Sequence, residues 1–356
     1  MTSKTKKDRI NEIDLLRFIA AIAVLVFHYA FRGHAYNDLS VMSYPWITPV
    51  AKYGYLGVQL FFMISGFVIF MTAANANLRS FATSRIVRLY PAFWACCTIT
   101  FIAILFMGEN RFSASIVQYL ANMTMLSEFM NVPSIDGAYW SIFVEIRFYI
   151  LIAVLLAFKL MRHAEYFMIA WLLYTAKVAL YGTDLLSIYL ISEYAAFFIA
   201  GASFFMVWKK GPSIIRIVTI SLSFTLAIYQ SLKQAAILAP VFKQEVNTII
   251  IIAIISSFFL LLLLSVTRKT GVIGRMNWTV IGALTYPLYL LHQFIGYMTF
   301  NLLYEKVNVH LLFWGVMASM LILAYAVHRV VEIPLSTSMR QILQPRSQSP
   351  ERASTD

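Results

Sequence analysis

The chain has 356 residues, of which 60% are hydrophobic and only 12% are charged, and its formal net charge is +12. This composition, with a mean hydropathy of +0.74, excludes a soluble globular domain. A basic excess is also typical of nucleic-acid-binding proteins. Here, however, the positive charges lie mainly at the ends of apolar segments, so we expect no nucleic-acid partner.

Apolar segments of about twenty residues recur along the chain, and this is the length an α-helix needs to cross a bilayer. Ten are predicted, at about 14–32, 55–74, 88–107, 138–158, 164–181, 189–208, 213–231, 246–267, 278–300 and 311–331. We therefore predict an all-α membrane protein with about ten transmembrane helices in one bundle. Arg17 and His28 lie inside the first segment, which argues against a cleaved signal peptide.

The distribution of Lys and Arg predicts the orientation. With a cytoplasmic N-terminus, seventeen basic residues lie at cytoplasmic ends and loops and six on the opposite side. This agrees with the positive-inside rule, so both termini are predicted to be cytoplasmic. We expect a cytoplasmic segment at 1–13, one transmembrane domain at 14–334, and a polar, disordered cytoplasmic tail at 335–356. No appended hydrolase-like module is expected.

Ionisable residues inside several of these segments predict a functional site, because such groups are energetically unfavourable in a bilayer. Arg17 and His28 are eleven residues apart in the first segment, so they share a helical face with about 16 Å between them. Glu145 in the fourth segment and His292 in the ninth are predicted at a depth similar to that of His28. Ser65 falls near the middle of the second segment.

Arg85 and Arg88 lie at the predicted cytoplasmic end of the third segment. Their spacing of three residues places both guanidinium groups on one helical face. The planar guanidinium fork suits bidentate phosphate binding. A phosphate site and ordinary positive-inside anchoring are equal alternatives from these residues alone.

Each buried polar residue also has a structural interpretation. Arg17 could pair with Asp14, Glu145 could pair with Arg147, and His28 could make a single interhelical hydrogen bond. Taken together, these alternatives leave the convergence of several polar groups at two depths unexplained.

Four further residues are expected to be structural. Arg329 and Glu332 are predicted to pair with each other at i, i+3. Cys96 and Cys97 are adjacent and lack metal-ligand spacing, so we expect them to pack as small apolar residues, and we predict no metal site.

Five motifs in chain order carry a resemblance to a known family. They are I-D-x-L-R followed by His (Ile13, Asp14, Leu16, Arg17, His28), G-x-x-x-F-F-x-x-S-G-F (Gly57, Phe61, Phe62, Ser65, Gly66, Phe67), R-x-x-R-L-x-P (Arg85, Arg88, Leu89, Pro91), W-S-x-x-x-E-x-x-F-Y (Trp140, Ser141, Glu145, Phe148, Tyr149) and S/T-Y-x-x-Y-L-x-H (Thr285, Tyr286, Tyr289, Leu290, His292). From about Asn11 to Pro334 the sequence resembles the acyltransferase-3 family of integral membrane O-acyltransferases. The resemblance is to stand-alone members of the bacterial polysaccharide O-acetyltransferase type. Thr285 replaces the more usual Ser, and Ile333 stands where a basic residue is common.

The resemblance implies an O-acetyltransferase in the bacterial inner membrane. Such a protein moves an acyl group, usually acetyl, from cytoplasmic acetyl-CoA to a hydroxyl of an extracytoplasmic carbohydrate such as capsule, exopolysaccharide or O-antigen. Arg17, Arg85 and Arg88 would bind the coenzyme phosphates. The implied partners are acyl-CoA, a carbohydrate acceptor and the lipid bilayer.

Within that mechanism His28 is expected to be the general base, oriented by Glu145. Ser65, Tyr289 or His292 would donate hydrogen bonds to the thioester oxyanion. An acyl-enzyme on His28 or Ser65 stays open, and direct transfer is preferred because no strong nucleophile such as a buried cysteine is predicted at that depth.

The outer loops at 32–54 and 108–138 are expected to contact the acceptor. Their candidate residues are Tyr36, Tyr44, Trp46, Tyr53 and Asp136, although an interfacial aromatic belt would explain most of the rings.

A proton-coupled transporter of a small solute or glycan is the alternative function. Ten spans with buried charges and two histidines would suit it. Inverted repeats or broken helices would support that function, and neither is evident in the sequence.

Overall fold

The computed structural model describes residues 10–343. These residues contain no β-strand and form ten long helical segments, so the predicted all-α fold is confirmed. The segments are α1 Glu12–Ala35, α2 Thr48–Ala73, α3 Leu78–Met107, α4 Gly137–Ala157, α5 Ala164–Tyr181, α6 Ala195–Lys210, α7 Ile214–Phe242, α8 Thr248–Val266, α9 Thr279–Leu303 and α10 Val309–Leu343.

Each of the ten predicted apolar segments falls on one of these helices. Seven of the ten, all except α5, α6 and α9, are long and apolar enough to cross a membrane. The protein is therefore a multi-pass membrane protein, while the count of ten spans and the cytoplasmic termini remain predictions. Residues 335–343 continue α10 as a helix, so the predicted domain boundary after 334 falls inside that helix. The other predicted terminal positions, 1–9 and 344–356, lie outside the described residues.

Polar side chains mark where several helices begin. The Asn77 side chain accepts from the backbone N–H of Ser80, and the backbone N–H of Asn77 donates to the Ser80 hydroxyl, which forms a capping box at the start of α3. The side chains of Ser213, Asn247 and Asn308 accept from backbone N–H groups in the first turns of α7, α8 and α10. These bonds satisfy backbone donors that a helix end would otherwise leave unpaired.

The contact between α2 and α6 depends on two glycines. A Cβ atom on Gly201 would lie 1.8 Å from the Met63 carbonyl oxygen, and one on Gly66 would lie 2.1 Å from that of Phe198. Small residues let helix backbones approach closely, which strengthens packing inside a membrane.

Two clusters of buried apolar side chains form the core. One involves mainly α2 and α4–α8, and the other involves mainly α1, α3, α9 and α10. Cys96 and Cys97 are buried and unbridged in the second cluster, as expected. The candidate site lies between the two clusters.

Two helices contain a π-helical turn. In α1 the turn spans His28–Arg32, and in α10 it spans His328–Glu332. Such turns are rare and are often found at functional sites. Neither turn is predicted by the apolar segments of the sequence.

Two ion pairs join a helix to a neighbouring segment of the chain. Arg147 pairs with Glu128 at 2.8 Å, and not with Glu145 as the structural alternative supposed. Lys177 pairs with Asp184 at 2.9 Å in an exposed position. Both pairs lie away from the candidate site.

Candidate active site

A cavity of about 190 Å³ lies among α1, α2, α3, α4 and α9, and we call it the arginine cavity. Its lining includes six of the eight predicted site residues: Arg17, Ser65, Arg85, Arg88, Glu145 and Tyr289. The structure therefore brings side chains from five helices around one space.

The arginine cavity is elongated along the bundle. Its lining on α2 runs from Val58 to Ile69, which at 1.5 Å per residue is about 16 Å. A Cβ on Gly57 would touch the Ala20 carbonyl, so the antiparallel helices α1 and α2 place Arg17 about level with Leu60. Arg17 therefore lies within the length of the cavity.

The guanidinium groups of Arg17 and Arg85 lack carboxylate partners. In the described part of the chain neither forms an ion pair, so the structural alternative of an Arg17–Asp14 ion pair is not made. Among residues 10–343, Arg85 donates to the hydroxyls of Ser84 at 3.2 Å and Thr72 at 3.4 Å and to no carboxylate. The charges of both arginines therefore remain available to an anionic ligand.

The third arginine is held by a carboxylate. Arg88 donates to Glu332 Oε1 at 2.6 Å, while Glu332 Oε2 lies 2.8 Å from His328 Nδ1. Glu332 is only 3% exposed, and both it and His328 lie on the π-helical turn of α10. The predicted pair between Arg329 and Glu332 is wrong, because that turn directs Glu332 towards α3.

Glu145 lines the middle of the arginine cavity. Its Oε1 atom accepts from the Ser65 hydroxyl at 2.7 Å and from the Tyr149 hydroxyl at 2.6 Å. The expected contact between Glu145 and His28 is not formed. His28 Nδ1 instead lies 2.9 Å from the Tyr297 hydroxyl.

The two histidines lie next to each other outside the cavity lining. Their ring centroids are 5.0 Å apart, and the His292 ring is 5.5 Å from that of Tyr289. The Tyr289 hydroxyl lies 2.7 Å from the Ser141 Oγ. Tyr289 therefore separates the arginine cavity from the histidine pair.

The hydrogen bonds of His292 define its tautomer. Its Nδ1 lies 2.8 Å from the Tyr289 carbonyl oxygen, which can only accept, so Nδ1 carries the proton. Nε2 is then an acceptor, and it is buried without a partner among residues 10–343. His28 is 8% exposed and His292 is 1% exposed, so His28 is the more accessible of the two imidazoles.

Some contacts in the site were not predicted from the sequence. Ser141 and Tyr149 lie within its motifs but received no role, although they contact Tyr289 and Glu145. Tyr297 lies outside every motif, and only its place on α9 after His292 pointed towards the site.

Three of the proposed acceptor contacts in the outer loops are buried. Tyr44 and Tyr53 pack in the core, and Asp136 accepts from the backbone N–H groups of Ala138 and Phe294. Burial raises the pKa of Asp136 to about 7, against the opposing effect of these two donors. These three side chains are packed in the interior and line neither the arginine cavity nor the second large cavity, so the structure does not support their expected role in acceptor binding. Trp46, at 71% exposed, stays accessible.

A family model described as "Acyltransferase domain" matches residues 10–329. The chain belongs to this acyltransferase-3 family. Nodulation protein 10 of Rhizobium leguminosarum bv. viciae is 27% identical over 169 residues, which are 41% of this chain and 44% of that protein. O-acetyltransferase OatA of Staphylococcus aureus (strain NCTC 8325 / PS 47) is 27% identical over 168 residues, 42% of this chain and 25% of that protein.

The chain thus spans less than half the length of these curated relatives. No solved structure matches it. Family membership confirms the resemblance drawn from the five motifs.

Proposed function

We propose that this protein is a membrane O-acetyltransferase, which moves an acetyl group from cytoplasmic acetyl-CoA to a hydroxyl of an extracytoplasmic cell-surface carbohydrate in the bacterial inner membrane. The observation that carries the proposal is the arginine cavity: an elongated space with Arg85 and Arg88 towards one end, Arg17 along its length, and a histidine pair behind Tyr289. Membership of an acyltransferase family favours this function over the proton-coupled transporter.

Arg17, Arg85 and Arg88 bind the phosphates of the coenzyme in this proposal. Two of the three guanidinium groups have no carboxylate partner in the described chain, and three positive charges face the single carboxylate of Glu145 in the lining. Guanidinium groups form strong charge-assisted bonds with phosphate oxygens. The positive-inside distribution supports a cytoplasmic position for this end.

The pantetheine arm would extend past Glu145 and present the thioester near Tyr289. Rotation of the Tyr289 side chain away from Ser141 would then join the cavity to His28. Tyr297, which contacts Nδ1 of His28, takes the orienting role that Glu145 was expected to have.

The chemical step is a direct acyl transfer. His28 accepts the proton of the acceptor hydroxyl while the hydroxyl oxygen attacks the thioester carbonyl carbon. The oxyanion that forms is stabilised by the Tyr289 hydroxyl, whose proton is released when the side chain rotates away from Ser141. Collapse of the intermediate breaks the carbon–sulfur bond and releases the coenzyme thiolate, which takes the proton back from His28.

Ser65 is a weaker oxyanion donor than Tyr289. Its only hydroxyl proton is directed to the Glu145 carboxylate, so it cannot also donate to the thioester oxygen. The same contact would let Glu145 accept the Ser65 proton in an acyl-enzyme mechanism, which is the alternative to direct transfer.

Proteoliposomes test the proposal with labelled acetyl-CoA on one side and a cell-envelope glycan preparation on the other. Label should appear on the glycan with the wild type, disappear with His28→Ala, and persist with the exposed-residue control His163→Ala. If the wild type neither labels the glycan nor releases coenzyme A, the proposed acetyltransferase activity is refuted. Full activity in a folded His28→Ala protein would refute the base assignment, and label retained on the denatured protein would favour an acyl-enzyme.

A further inference from the structure

A second cavity, of about 310 Å³, lies among α2, α5, α6, α7 and the segment 183–194, and we call it the amide cavity. Its polar lining includes Gln59, Ser192, Tyr194, Gln230, Ser231 and Gln234. The side-chain amides of Gln59 and Gln234 hydrogen-bond to each other at 2.7 Å. None of these residues is a specified position of the motifs that carried the resemblance, although Gln59 lies within the span of the second.

Several polar atoms in this lining have unused hydrogen-bonding capacity. The Ser192 and Ser231 hydroxyls and the Gln230 side-chain carbonyl are buried and have no partner among residues 10–343. Ser192 is 2% exposed and Ser231 is 1% exposed. Buried polar groups are nearly always hydrogen-bonded in folded proteins, so three such atoms around one cavity point to a polar ligand.

The chemistry of the lining selects the class of ligand. Amide and hydroxyl groups both donate and accept, as sugar hydroxyls do, and Tyr194 and Tyr229 add aromatic surface. The charged lining residues are one acid, Glu193, and one base, Lys233, so the amide cavity has no formal charge excess. A neutral polyhydroxylated ligand fits this cavity better than an anion does.

The position of the amide cavity connects it with the transfer site. Tyr194 packs against Phe62 at 4.9 Å and against Trp140 at 5.6 Å, and Phe62 lines the arginine cavity. On α2, Val58 lines one cavity and its neighbour Gln59 lines the other. The amide cavity is therefore level with the Val58 end of the arginine cavity, and the rings of Phe62, Trp140 and Tyr194 form an aromatic wall between the two.

We propose that the amide cavity binds a neutral sugar unit of the acceptor glycan, next to the unit that is acetylated. This inference rests on the proposed function and assigns its acceptor site. Ser192, Ser231 and Gln230 would hydrogen-bond the sugar hydroxyls, while Tyr194 would pack against a sugar face. The donor and acceptor would then have separate binding sites that meet at the aromatic wall.

The test uses the full-length protein in proteoliposomes with a panel of neutral hexose and N-acetylhexosamine hexasaccharides. Binding of each saccharide and its KM as acceptor are measured for the wild type, the double variant Ser192→Ala with Ser231→Ala, and Gln230→Leu. Ser223→Ala is the matched control, because Ser223 lies on α7, is buried and is also unpartnered, yet is outside the cavity lining. Loss of the cavity hydrogen bonds should raise the acceptor KM about tenfold or more and leave the acetyl-CoA KM unchanged.

The outcomes separate the site from the function. If the wild type transfers acetyl but the cavity variants match Ser223→Ala, the site assignment is wrong and the function stands. If no transfer occurs, the function fails, while saccharide binding lost only in the cavity variants would still support the site. Failure of the wild type to bind any saccharide overturns the site. Binding of phosphatidylglycerol vesicles that is lost in the cavity variants while their acceptor KM is unaltered would also overturn the site, because it would identify a lipid site.

Discussion

Replacing Arg17 by alanine tests whether the arginine cavity binds the phosphates of acetyl-CoA. Among residues 10–343, Arg17 forms no ion pair, so the substitution strands no carboxylate and should change the folding stability little. The loss of one charge-assisted contact to a phosphate weakens the binding free energy by about 1.5–3 kcal/mol. That loss corresponds to an acetyl-CoA KM raised roughly 10- to 150-fold, while kcat should change little.

Arg88→Ala should behave differently. Arg88 is 40% exposed, but its partner Glu332 is 5% exposed in its side chain, so the substitution leaves a buried carboxylate with only His328. We expect a higher acetyl-CoA KM together with a loss of roughly 1–3 kcal/mol in unfolding free energy. Arg17→Ala and Arg88→Ala should therefore both weaken acetyl-CoA binding, but only Arg88→Ala should lower the free energy of unfolding.

The assay is initial-rate transfer against acetyl-CoA concentration in proteoliposomes, with thermal unfolding measured in detergent on the same samples. Arg79→Ala is the matched control, since Arg79 is an exposed arginine on α3 outside the cavity lining. Added salt should raise the wild-type KM more than that of Arg17→Ala, because a charge–phosphate contact is screened. An unchanged KM in Arg17→Ala, or an equal rise in Arg79→Ala, would refute the phosphate role.

Three further predictions concern positioning, packing and pH. Tyr297→Phe removes the hydroxyl beside His28 and should lower kcat about tenfold, with a shifted pH–rate profile; an unchanged profile would contradict the orienting role. Gly201→Ala places a Cβ 1.8 Å from a carbonyl oxygen and should destabilise the fold by more than about 2 kcal/mol, measured against the open-space control Gly315→Ala. Asp136, whose pKa is raised from 3.8 to about 7 on folding, binds its proton more tightly in the folded state. The stability that this protonated group contributes is therefore lost as the pH rises through 7. Thermal unfolding should show that the free energy of unfolding falls by about 2–3 kcal/mol between pH 5 and pH 8. This fall should be absent in Asp136→Asn.

The five motifs predicted much of the candidate site. Six of the eight residues chosen from them line the arginine cavity, because ionisable and hydroxyl groups in apolar segments are tolerated where they face the interior of the bundle. His28 and His292 also lie together, as their similar predicted depth suggested. Their separation from the cavity by Tyr289 was not predictable, because a motif does not specify the side-chain conformation of a neighbouring residue.

The hydrogen-bond partners within the site were predicted poorly. Glu145 was expected beside His28 and instead contacts Ser65 and Tyr149, while Glu332 contacts Arg88 across 244 positions of sequence. A shift of one residue along a helix turns its side chain by about 100° and moves it 1.5 Å. Depth estimated from segment ends has a larger error than this, so it cannot decide which polar groups touch.

The sequence by itself determined that the chain is helical, multi-pass and a member of an acyltransferase family, because hydrophobic length and short motifs are local properties of the chain. Only the tertiary structure decided which polar groups share a cavity, how the two π-helical turns direct His28 and Glu332, and where the amide cavity lies. These features join residues as far apart as His28 and Tyr297, which are 269 positions apart. They depend on how helices rotate and pack against one another, which no local pattern encodes.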